Sequence, residues 1–173
     1  MPTLDRATSP ASIVTVPLHR GPRARSPIGS WVLRVATAAA LGIDAVVHWQ
    51  NASAYDAVTG TVSQGELFRV EAVLAVVVGL GILVRPRPSS WLAALLVAAS
   101  ALGAVLLYRY VDVGSLGPLP DMYESTWQVP GKLLSAYAEG AAVVLAGLGL
   151  HIRRKRPGTQ GLVPVAATAR KRG

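Results

Sequence analysis

The sequence predicts an all-α fold: four apolar helices, each long enough to cross a bilayer, packed as a transmembrane bundle with both termini on the cytoplasmic side. Three observations predict it. Apolar runs recur four times between residues 30 and 152, each near the roughly 20 residues that span a hydrocarbon core of about 30 Å. The chain of 173 residues is 51% hydrophobic with a single Phe, so Ala, Val, Leu and Gly build the helices and one domain exhausts the length. Lys and Arg are segregated: four precede residue 30, two lie in 85–88 and seven follow 151, against none in 50–65 and none in 111–131. Loops kept in the cytoplasm hold the positive charge.

Residues 1–29 are Pro- and Arg-rich without helical periodicity, and too little apolar surface is present to offset the entropy of ordering. They are expected to be a disordered basic tail that is retained, because the positive region is followed by a full-length span without an obvious small-residue cleavage site. The first span runs from about Trp31 to Trp49, with an indole at each interface. A polar loop follows, and the second span, about Leu67 to Val84, is stopped by Arg85-Pro86-Arg87-Pro88. Ser89-Ser90 is expected to cap the third span, about Trp91 to Tyr110. Pro118, Pro120 and Pro130 with Gly114, Gly117 and Gly131 keep any span out of 111–131, where Asp121 three residues before Glu124 predicts a short interfacial helix ending near Trp127. The fourth span, about Leu133 to Leu150, ends at a basic stop cluster, and residues 153–173 are expected to be a second disordered basic tail.

The absence of cysteine excludes disulfides, thiolate metal sites, covalently attached haem and a lipoprotein anchor. The net charge of +8 resides in the tails and one turn, and no basic face carries stacking aromatics, so nucleic acid is not an expected partner. The expected partners are the lipid bilayer and, through the basic tails, anionic lipids. No Gly-x-Ser-x-Gly elbow occurs, and no other catalytic motif is present.

Chemistry is instead concentrated within the spans. Stepping by threes and fours along the first gives Arg34, Thr37, Leu41, Asp44, His48 and Asn51, a seam polar at all but one position. A matching seam on the fourth comprises Lys132, Ser135, Glu139, Ala142, Ala146 and Gly149. Asp44, Glu71 and Glu139 each lie seven residues inside the outer end of their helix, hence at one level about 10 Å deep. With His48, Glu66, Arg69 and Arg109 they form a candidate polar cluster in the outer half. An ionised group at such depth costs about 2.5–3.5 kcal/mol unless protein or water shelters it. Three roles fit the cluster: a salt-bridge network fixing helix register, a proton, quinone or small-ligand site, or a metal site from Asp44, His48, Glu71 and Glu139. The metal role lacks the Glu-x-x-His pairs of di-iron bundles, and the sequence requires no cofactor.

Four spans with both ends inside, together with Phe68-Arg69-Val70-Glu71-Ala72 early in the second span ahead of Gly79 and Gly81, resemble the DoxX-like membrane proteins of bacteria across residues 31–151. The alternative is a separate actinobacterial family, since the Pro-Leu-Pro-Asp-Met-Tyr-Glu loop lies outside that pattern. The DoxX resemblance implies a redox or other membrane complex as neighbour. The expectation is a small multi-pass protein of the cytoplasmic membrane with a non-catalytic accessory or structural role, or else a small carrier or redox-linked protein.

Overall fold

The computed structural model describes residues 27–154, so the tails expected over 1–29 and 153–173 fall almost wholly outside the described residues. Among the described residues there are four α-helices and no strand: α1 Pro27–Asn51, α2 Gln64–Val84, α3 Pro88–Tyr110 and α4 Lys132–Arg154, with one 3₁₀ turn, Ala52–Tyr55, after α1. All four are long and apolar enough to cross a membrane.

Helix ends follow local chemistry, with small departures from expectation. α1 starts at Pro27, inside the expected tail, because the fixed φ and missing N–H of proline suit a first turn. Pro88 does the same for α3, which begins ahead of Ser89-Ser90; Ser90 Oγ instead donates to the Arg85 carbonyl (2.8 Å) and ties the Arg85–Arg87 turn. α4 continues to Arg154, where cations favour a C-terminal turn. At the start of α2, Ser63 Oγ accepts from Glu66 N and Glu66 Oε2 accepts from Ser63 N, a reciprocal cap.

The helices form a ring in chain order. α1 packs on α2 and α4, and α3 on α4, while α2 and α3 meet least. Close approach rests on small residues, including Ala75, Ala94, Ala142 and Ala146, all fully buried. Gly79 faces the Ala38 backbone, and a Cβ on Gly149 would run into the buried Trp91 indole. Exposure is inverted relative to a water-soluble bundle. Val77 and Val144 are 59% and 69% exposed, whereas Thr37, Asp44 and Glu139 are buried. Lipid as solvent accounts for both halves of that pattern. The predicted seams of α1 and α4 are the faces that turn inward.

At one end of the ring, the loop end, residues 52–63 and 111–131 interlock. Thr61 N and Val62 N donate to the Pro118 carbonyl, Tyr55 Oη donates to Glu124 Oε2 (2.7 Å), and Glu124 N donates to the Tyr108 carbonyl. The helix expected over Asp121–Trp127 is not formed. Asp121 Oδ1 accepts from Tyr123 N and Thr126 Oγ1 from Gln128 N, local bonds that compete with helix.

Candidate functional site

Asp44 and His48 stand four residues apart on α1, as do Ser135 and Glu139 on α4, so each pair shares a face. Where the faces meet, Ser135 Oγ donates to Asp44 Oδ1 (2.6 Å) and lies 3.0 Å from Glu139 Oε1. His48 Nδ1 lies 2.9 Å from Asp44 Oδ1 and 3.2 Å from the Asp44 carbonyl oxygen. A hydroxyl carries one proton. Ser135 therefore serves one carboxylate, and its closeness to the other needs a proton or a cation to be shared there. Asp44 Oδ2 and Glu139 Oε2 are buried and have no hydrogen-bond partner among the described residues, and each residue is 1% exposed.

Glu71 of α2 is half-buried, and its Oε1 is likewise buried without a partner. With His48 and Ser135 it lines a cavity of about 590 Å³ at the loop end, within the roughly 300–1,000 Å³ usual for small-molecule sites. The wall is mainly apolar, with Leu67, Phe68, Ala104, Val105, Met122 and Val129 contributing. Val70 and Leu107, both exposed, form its rim between α2 and α3, where those helices pack least. Exposed residues of both helices thus border the cavity, and the 111–131 loop adds Leu116, Leu119 and Met122 to its wall. Phe68 holds the His48 ring edge-on at a centroid distance of 5.1 Å.

The structure brings together Asp44, His48 and Glu139, sets Glu71 on the adjoining wall, and separates the other three candidates from them. Glu66 caps α2. Arg69 does not pair with Glu66, three residues before it, but grips Asp56 through two bonds of 2.8 Å, which hold the Asp56 carboxyl below its ordinary value. Arg109 lies over the Tyr110 and Trp127 rings, at 5.0 and 5.5 Å. Lys132 Nζ donates to the Glu124 carbonyl and lies 3.8 Å from its carboxylate. Among the described residues, no Lys or Arg forms an ion pair with Asp44, Glu71 or Glu139. Sequence reasoning placed Ser135 on the α4 seam but not in the cluster; its spacing of four from Glu139 was the available signal. Asp56 left no signal, because loop residues obey no period.

No protein-family model, curated protein or solved structure matches this chain. The four apolar helices are consistent with a small multi-pass membrane protein.

Proposed function

We propose that the chain is a multi-pass protein of a bacterial cytoplasmic membrane, with both termini cytoplasmic, that holds a lipid-soluble molecule with a polar head, of quinone type, in its loop-end cavity. The cavity carries the proposal. It is large enough for a substituted ring, apolar over most of its wall, bordered by the exposed Val70 and Leu107 of α2 and α3, and polar at His48, Glu71 and Ser135. With His48 Nδ1 engaged by Asp44, Nε2 is left for a head-group oxygen or hydroxyl, and Glu71 Oε1 supplies a second contact. The distribution of Lys and Arg supports the orientation. An accessory, non-catalytic role beside a quinone-linked oxidoreductase is the corresponding partnership, in keeping with the DoxX-like layout. The basic tails add attraction for anionic lipid of about 1 kcal/mol per charge near the surface.

Titration of the purified protein in nanodiscs with a short-chain quinone, followed by calorimetry, tests this. Saturable binding is expected, abolished by Ala104→Trp, which fills the cavity, and weakened by Glu71→Gln. Absence of saturable binding by a folded chain, or binding unchanged in folded Ala104→Trp, rejects it.

A further inference from the structure

We infer that Asp44, His48 and Glu139 form a site for one divalent first-row transition-metal ion of the Mn²⁺ or Zn²⁺ class. One ligand atom from each residue can be chosen so that all lie within 4.8 Å of one another, and all three residues are buried. Two such ligands at about 2.1 Å on a tetrahedral ion stand about 3.4 Å apart, so modest side-chain rotation closes the set. The ligands come from α1 and α4, helices packed directly on each other and lined by Ala45 and Ala142. Their backbone positions are therefore held before any ion arrives.

An acidic cluster alone would not indicate a ligand, but here two further observations do. Asp44 Oδ2 and Glu139 Oε2 have free lone pairs in a place 1% exposed, where an unpaired carboxylate oxygen is costly. Among the described residues, no Lys or Arg balances these acids. A dication would neutralise both carboxylates and leave the imidazole neutral, the form in which it ligates metal. The donor set suits the ion class: imidazole with carboxylates accepts Mn²⁺ or Zn²⁺, whereas Ca²⁺ and Mg²⁺ are bound through oxygen alone. Ser135, whose hydroxyl donates to Asp44 Oδ1, is placed to orient the Asp44 carboxylate. His48 also borders the cavity, which leaves one side of the ion open. The site stands on α1 and α4 and, of its three ligands, shares only His48 with the cavity wall.

The experiment uses the full chain in detergent, its purification tag removed, stripped with EDTA and titrated separately with Mn²⁺ and Zn²⁺. Expected are about one ion per chain and, for Mn²⁺, electron spin-echo modulation from a ligating nitrogen that disappears in His48→Gln. Asp44→Asn and Glu139→Gln should each weaken binding by tenfold or more, and Ser135→Ala, which keeps all three ligands, by about 10- to 100-fold. Asp56→Asn should bind as the parent does. Should the ligand variants fail to fold, the parent's stoichiometry and nitrogen modulation still decide. A folded parent that takes up neither ion, or binds Mn²⁺ without a nitrogen ligand, overturns the inference and leaves protons as the balancing charge. Unaltered affinity in folded Asp44→Asn and Glu139→Gln overturns it equally.

Discussion

Asp44 is the residue on which most of the buried polar geometry converges. Ser135 Oγ and His48 Nδ1 both lie within hydrogen-bond distance of its Oδ1. Removing one partner of a buried charged pair typically costs about 3–5 kcal/mol, because the remaining groups stay buried without compensation. Asp44→Ala is therefore expected to lower unfolding stability by about that amount, read as the midpoint of helix loss in a mixed-detergent titration. Asp56→Asn, which breaks the exposed pair with Arg69, should leave the midpoint within error, since exposed pairs contribute little. Equal effects of the two would mean that the α1–α4 contact does not depend on Asp44. The i,i+4 spacings of Asp44 with His48 and of Ser135 with Glu139 were visible in the sequence because helical period maps spacing onto a face. Partners across helices were not, because nothing in one helix's period states which neighbour its seam meets; Arg69 has Glu66 three residues away on its own helix and pairs instead with Asp56 in the loop.

At the scale of the elements, glycines two residues apart on one helix do different work. Gly149 is buried against the Trp91 indole, while Gly147, two residues earlier, has open space where a Cβ would go. Gly149→Val is expected to cost about 1–3 kcal/mol through overpacking, with partial recovery on adding Trp91→Phe. Gly147→Ala is expected to be neutral or to gain up to about 1 kcal/mol by lowering backbone entropy in the unfolded chain. Thermal loss of helix signal in detergent reads both, and similar losses from the two would contradict the α3–α4 packing described. Helix number and approximate limits were legible because apolar length is a one-dimensional property. The ends were less so: Pro27 and Pro88 begin helices ahead of the apolar pattern, and the loop Asp121 spends its carboxylate on its own backbone, not on a helix start.

For the molecule as a whole, the segregation of Lys and Arg gives an orientation that can be tested directly, because the chain contains no cysteine. Single cysteines placed at Thr126, in the long loop, and at Ser89, by the short turn, should differ in intact cells. A membrane-impermeant maleimide is expected to label the first and spare the second until the membrane is broken; the opposite pattern reverses the orientation. The four-helix ring follows from length and composition, but the cavity does not, because it arises from the unequal packing of one helix pair and from a wall partly built of loop residues.

That unequal packing divides labour within the ring. α2 and α3 are joined at one end by the short Arg85–Arg87 turn, which Ser90 fastens, and residues of both line the cavity toward the other end. The least closely packed pair of neighbouring helices is thus the one that borders the cavity, while α1 and α4, packed directly on each other, carry Asp44, Ser135 and Glu139. Open space and the buried polar centre are assigned to different halves of one small bundle.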